Sequence, residues 1–309
     1  MADCNKPKLL AVAGPTASGK TALAIRLAQQ YNGEIISADS MQIYQGLDIG
    51  TAKATEEERA AVPHHLIDIA QPQQAYSVAD FVPLAEQKIA EITAHGHLPI
   101  LCGGTGLYLS TLVNGITFTE EKGDETVRQQ LAQELEVQGA AHMLAQLAQV
   151  DPEYAAKLHE NDHKRVLRGL ELYHKTGKTM SQQLRDSRPA EKPYDALIFG
   201  LNYASRELLY SRINLRVDKM VEEGVLSEAE LVYRHRDAWK TAAQAIGYKE
   251  FFPYFEETQP LQDCVEKLKQ ATRNYAKRQL SWFRGMPEIH WLDAADPKPE
   301  QKLAEWLCH

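Results

Sequence analysis

Gly14-Pro15-Thr16-Ala17-Ser18-Gly19-Lys20-Thr21 fits the P-loop pattern G-x-x-x-x-G-K-[ST], and its flanks supply the setting that the pattern needs. Leu9-Leu10-Ala11-Val12-Ala13 before it is a short apolar run that reads as a buried strand. Thr21 to Gln30 after it is rich in Ala, Leu and Ile and reads as a helix. In such a turn the glycines let successive N–H groups face inward, and the helix N-terminus adds partial positive charge. Lys20 can reach a terminal phosphate, and the Thr21 hydroxyl can ligate Mg²⁺. The motif therefore predicts a site for a phosphate chain, without saying to which molecule that chain belongs.

Working outward, Gly33 to Ser40 reads as a second strand ending in small polar residues, with Asp39 at its end. In a parallel sheet such strand ends line the ligand crevice. Asp39 is a candidate proton acceptor or metal ligand, and a helix cap or turn is its ordinary alternative. Pro63-His64-His65 reads as a packing loop, since no third ligand stands at metal spacing. Ser77 and Asp80 form a capping-box pattern ahead of a helix that Gly96 ends. His97 to Cys102 reads as a third strand running into Gly103-Gly104-Thr105, a second turn that allows close backbone approach to a ligand.

From about Thr119 the texture changes. Residues 119–195 read as an all-helical insertion, between core segments 1–118 and 196–309. The fold class is thus α/β: a P-loop-type parallel sheet flanked by helices, with a helical subdomain inserted. Ala196 to Leu201 and Glu288 to Leu292 read as later strands, and Ser205 opens a helix whose Arg212 and Arg216 share one face. An Arg there can meet phosphates or make a surface ion pair.

The formal net charge of −8 over 309 residues argues mildly against a nucleic-acid partner, but the charge is uneven. Asn161 to Arg188 holds seven Lys and Arg against three Asp and Glu, and Gln262 to Arg284 holds six against two. Either run is a solvated helix face or a phosphate-contacting one. Trp282 and Phe283 are expected in the core. Cys4, Cys102, Cys264 and Cys308 show no metal or disulfide spacing, and no apolar run approaches a membrane span. With no signal-peptide pattern evident, a reducing cytoplasm is expected, and nothing demands an oligomer, so a monomer is expected.

Taken together, the motifs resemble the tRNA dimethylallyltransferases, also called tRNA isopentenyltransferases, in their bacterial form. The resemblance is carried in order by Gly14 to Thr21, Ser37 to Tyr44, Gly46 to Lys53, Gly103 to Tyr108, Asn161-Asp162 with Arg165, Arg212-Ile213 with Arg216, Ile246-Gly247-Tyr248 and Ala276-Lys277-Arg278-Gln279. It implies transfer of the dimethylallyl group from dimethylallyl diphosphate to N6 of adenine 37, beside the anticodon of tRNAs that read codons beginning with U. The P-loop then holds an isoprenoid diphosphate, with no ATP. The partner implied is a tRNA anticodon stem-loop, from which the adenine must be flipped.

The resemblance further implies catalytic roles for Asp39, Thr105 and Arg216, and Mg²⁺ on Thr21 with Asp39 as an alternative further ligand. Its implied tRNA contacts are Asp39, Ser40, Met41, Gln42, Thr105, Arg128, Asn161, Asp162, His163, Lys164, Arg165, Gln244, Gly247, Tyr248, Lys249, Arg273, Lys277, Arg278 and Gln279. Two alternatives stay open: an adenylate isopentenyltransferase of cytokinin type, which would not need the basic helices, and a P-loop small-molecule kinase, which would bind ATP.

Overall fold

The computed structural model describes residues 6–117 and 125–308. Cys4 and the expected boundary at Thr119 lie outside them. Six strands form one parallel sheet: β1 (Lys8–Ala13), β2 (Gly33–Ser37), β3 (His64–His65), β4 (Leu98–Gly103), β5 (Asp195–Asn202) and β6 (Ile289–Asp293), in the order β3-β2-β4-β1-β5-β6. β1, β2 and β4 are buried along almost their whole length, as central parallel strands covered on both faces must be.

The first helices are α1 (Lys20–Gln30), α2 (Glu56–Ala61), α3 (Val78–Ala94) and α4 (Gly106–Val113). α1 buries Leu23, Ala24, Leu27 and Ala28, spaced as one helical stripe, against Leu10, Val12 and Ile100. The opposite face of the sheet, with Leu9, Ala11 and Leu101, is covered by Phe81, Ala85 and Ile89 of α3 and by Leu109 and Leu112 of α4. The predicted capping box opens α3: the Ser77 N–H and hydroxyl both meet the Asp80 carboxylate, at 2.8 and 2.7 Å.

Two compact units result, one of residues 1–113 with 192–309 and one of residues 114–191. Asp195, assigned to the insertion by the sequence, already pairs with Lys8 in the sheet. The second unit contains α5 (Glu125–Gln138), α6 (Ala140–Val150), α7 (Pro152–Ala155), α8 (His163–Thr176) and α9 (Met180–Asp186), packed around Met143, Leu147, Val166 and Leu170. The first unit is completed by α10 (Arg206–Glu222), α11 (Val225–Arg234), α12 (Phe252–Phe255), α13 (Leu261–Arg284) and α14 (Glu300–Leu307).

Two local expectations are corrected. His64 and His65 are a short edge strand rather than a loop, and His65 Nε2 and His97 Nδ1 each lie 2.5 Å from the Glu34 carboxylate. Burial alone would raise the Glu34 pKa, but these two hydrogen bonds leave it lowered. Phe283 is in the core as expected, whereas Trp282 is 44% exposed. Its indole lies across Gly106, where an added Cβ would meet it at 2.3 Å, so a backbone shelf takes the place of a core pocket.

Candidate active site

Strand order places the site. After β1 the chain turns one way, to β2, and after β4 it crosses to β5 on the other side, which opens a crevice at the carboxyl ends of the central strands. Ala13 pairs with Gly103, and Ser37 with Cys102, so β1, β4 and β2 end level with one another. The P-loop, the Gly103-Gly104 turn and Asp39 all follow those ends. They line one cavity of about 320 Å³, together with Arg216 of α10, residues 244–247 and Tyr275, Arg278 and Gln279 of α13.

The P-loop is built by conformation rather than by side-chain capping. Gly19 has φ +85° at the start of α1, a left-handed setting that favours glycine. No side chain caps α1, so its first N–H groups are open to an anion. Lys20 Nζ donates to Pro15 O at 2.8 Å, and Arg216 Nη1 to Thr16 Oγ1 at 3.4 Å. Burial above all, opposed by the nearby Cys102 and Asp39 and assisted by the Arg216 guanidinium, lowers the Lys20 pKa to about 8. Burial likewise lowers the Arg216 pKa and raises that of the Cys102 thiol to about 11.

Asp39 is held as a turn residue and faces the cavity at the same time. Its Oδ1 accepts the N–H of Met41 at 2.9 Å and that of Gln42 at 3.4 Å. Thr105 Oγ1 accepts the Ser40 N–H at 3.1 Å, and the Gly103 Cα lies so close to Ala38 that an added Cβ would stand 2.1 Å from Ala38 O. The two strand ends are therefore locked together. Gln42 lines the cavity, but its side-chain amide is committed, accepting from Ser37 Oγ at 3.0 Å and donating to Ala52 O at 3.1 Å.

Several expected RNA-contacting residues have other work. Tyr248 is fully buried, and its hydroxyl donates to Glu228 at 2.9 Å; this corrects its assignment as a tRNA contact. Gln279 is 5% exposed and makes hydrogen bonds through both ends of its amide. Arg273 donates to Asn214 at 2.7 Å, joining α13 to α10. Arg212 is exposed and outside the cavity, so Arg216 alone of that pair lines it. Ser40, Met41, Gln244, Gly247, Lys249 and Arg278 line the cavity, and Lys277 is exposed next to Arg278.

In the helical unit, Asn161, His163, Lys164 and Arg165 are exposed where α8 begins. Asp162 accepts the His159 N–H at 3.1 Å, and Arg128 meets the buried Glu171 at 2.9 Å.

Sequence reasoning missed the supports of the cavity wall. Glu228 of α11 accepts the N–H groups of Asp48, Ile49 and Gly50 at 3.0, 2.9 and 3.1 Å. Buried Lys53 pairs with Asp48 and, at 2.5 Å, with Asp68. These contacts hold the turn that brings Gly50, Thr51 and Ala52 to the cavity. A lysine inside Asp48-Ile49-Gly50-Thr51-Ala52-Lys53 was the available signal, while Glu228 carried none.

The chain is similar to proteins of known family. The profile of a family described as IPP transferase matches residues 42–286, and that of a family described as isopentenyl transferase matches residues 7–71. A tRNA dimethylallyltransferase of Bacillus subtilis is 48% identical over 98% of this chain and 96% of its own length. One from Halalkalibacterium halodurans is 44% identical over 97% and 95%. The crystal structure of a full-length tRNA isopentenylpyrophosphate transferase from Bacillus halodurans superposes with a TM-score of 0.70 at 43% identity, over 97% of this chain and 94% of the other. A eukaryotic dimethylallyltransferase acting on tRNA superposes at 0.76 with 34% identity, over 97% of this chain and 75% of the other.

Proposed function

This chain belongs to the tRNA dimethylallyltransferase family, and from that premise we infer that it transfers a dimethylallyl group from dimethylallyl diphosphate to N6 of adenine 37 of tRNA. One observation carries the inference: the P-loop, Asp39, Arg216 and the Gly103-Gly104 turn face a single cavity. A phosphate cradle and a carboxylate on the same cavity suit a reaction in which a diphosphate leaves as a proton is removed.

In the reaction, adenine N6 attacks the allylic carbon of the donor and the carbon–oxygen bond to diphosphate breaks. The attacking amine must shed a proton, and Asp39 is the group that accepts it. Negative charge grows on the leaving diphosphate, where the P-loop N–H groups, Lys20 and Arg216 meet it. Thr105 acts through Ser40 to keep the Asp39 turn in register.

The Thr21 hydroxyl fits Mg²⁺, with the Asp39 carboxylate as a further ligand in the alternative where it is not only the base. Both line the cavity, and no cluster of three or more His, Cys, Asp or Glu able to hold a metal occurs among the described residues. That donor set suits an ion whose shell is completed by diphosphate oxygens and water. When bound, the ion supplies charge to the departing diphosphate.

The tRNA partner is taken to be the anticodon stem-loop of species reading codons that begin with U, with the adenine flipped out of its stack. The exposed basic start of α8 and Lys277-Arg278 of α13 are its proposed phosphate contacts. We further take the enzyme to be a cytoplasmic monomer; no helix among the described residues is long and apolar enough to cross a membrane.

The test is incubation of the protein with Mg²⁺, labelled dimethylallyl diphosphate and unmodified tRNA, with AMP in a parallel tube. Label entering tRNA, and lost when adenine 37 is replaced by guanine, is the expected result. Label in AMP alone would make this a cytokinin-type enzyme. Label in neither, with ATP turned over on a small molecule, would make it a kinase.

A further inference from the structure

Gln279 sits where the two glycine-rich turns meet. Its Oε1 accepts the Thr16 N–H of the P-loop at 2.8 Å, and its Nε2 donates to Gly104 O at 2.9 Å. The demands are opposite, an acceptor for one turn and a donor for the other, and a primary amide satisfies both from one planar group. The fit leaves no slack: a Cβ on Gly104 would stand 2.3 Å from Gln279 Nε2. One turn earlier on α13, the Tyr275 hydroxyl interacts with both Gln279 and Thr105, and Thr105 in turn holds Ser40. Gln279 thus ties the diphosphate cradle directly to the Gly104–Thr105 turn, and Thr105 carries the link on to the turn that holds Asp39.

We propose that Gln279 is a positioning residue for the transfer, setting the spacing between the P-loop and the Gly104–Thr105 turn rather than reading RNA. This rests on the function inferred above. The spacing matters because the groups that meet the leaving diphosphate and the proton acceptor Asp39 must serve one reacting centre at the same time. An error of about 1 Å there costs on the order of 100-fold in rate.

The replacements separate the hypotheses by chemistry. Gln279→Leu removes both hydrogen bonds at similar size. Gln279→Glu keeps the acceptor for Thr16, but an ionised carboxylate faces Gly104 O with no donor, and only the protonated acid restores the donor. Gly104→Ala displaces the amide from the other side without adding charge. The other titrating groups on the cavity are Lys20, Asp39, Cys102, Arg216, Lys249, Tyr275 and Arg278. They are common to all the proteins, so the ratio of variant to wild type is read at each pH.

Transfer kinetics with dimethylallyl diphosphate, tRNA binding, and calorimetry with inorganic diphosphate and Mg²⁺ are measured for all four proteins, with thermal melts to confirm folding. We expect Gln279→Leu and Gly104→Ala to lose about 100-fold in kcat/KM for the donor at every pH, with tRNA affinity within about twofold of wild type. Gln279→Glu should show the same loss at pH 8 and recover about tenfold, relative to wild type, as the pH falls to 6. Weakened tRNA binding with unchanged donor kinetics would overturn the proposal in favour of an RNA contact. Wild-type kinetics in Gln279→Leu, or a loss in Gln279→Glu that does not recover with acid, would also overturn it. Failure of the wild type itself to modify tRNA would instead reject the underlying function, and inorganic diphosphate binding would still report on the clamp.

Discussion

Asp39 carries two jobs that substitution can separate. As a turn residue it accepts the Met41 and Gln42 N–H groups, which asparagine can still do through Oδ1, whereas asparagine cannot take a proton. Asp39→Asn should therefore fold and bind tRNA normally while single-turnover transfer falls 10²- to 10⁴-fold. A rate within a few-fold of wild type would exclude it as the base. Lys20 yields a pH signature. With its pKa lowered by burial to about 8, the free enzyme carries a charged amine below that pH and a neutral one above it. A diphosphate prefers the charged form, so binding above pH 8 must take up a proton. KM for the donor should be flat below pH 8 and rise by up to about tenfold per unit above it. Calorimetry of diphosphate binding in buffers of different ionisation enthalpy should detect proton uptake at pH 9 and none at pH 7.

At the scale of elements, Asp151 joins α6, α7 and α9. It follows α6, caps α7 through the Tyr154 N–H at 3.1 Å, and accepts the Ser181 N–H and hydroxyl at 2.8 and 2.6 Å, while only 3% exposed. Burial alone would raise its pKa, but these donors leave it below the ordinary carboxylate range. Asp151→Ala should destabilise the helical unit by roughly 2–3 kcal/mol, because buried donors are left unpaired. The sign with pH follows: a depressed folded pKa contributes stability above the unfolded pKa of about 4, lost as pH falls through the folded value. Urea unfolding followed by circular dichroism should show the gap between wild type and variant shrinking on acidification from neutral pH. α13 shows how much one element can organise: Phe283 enters the sheet core, Arg273 ties to α10, and Tyr275, Arg278 and Gln279 face the cavity.

For the whole molecule, charge is the governing quantity. A chain of net charge −8 can bind a polyanion only through local basic surface, so tRNA affinity should fall steeply with salt. Arg278 is exposed at the cavity, its guanidinium 5.6 Å from the centre of the Tyr275 ring. Arg278→Ala should weaken tRNA binding and reduce the slope of log Kd against log salt by about one. An unchanged slope would remove Arg278 from the phosphate-contacting set.

What the sequence determined by itself was what local pattern can encode. The β1–P-loop–α1 unit, the Ser77–Asp80 cap and the parallel strands depend on neighbours a few residues away, and all are legible in spacing and residue type. The order of motifs along the chain also carries the family. Only the tertiary structure decided which distant groups meet. Gln279 reaches Thr16 across 263 residues, and Glu228 reaches Asp48 across 180. Periodicity says which face of a helix is buried, not what lies against it, and a family resemblance marks a segment rather than a side chain's direction; Gln279 and Tyr248, expected as RNA contacts, are buried hydrogen-bonding groups in the fold. Trp282 erred the other way, exposed because the glycine beneath it provides a shelf instead of a pocket.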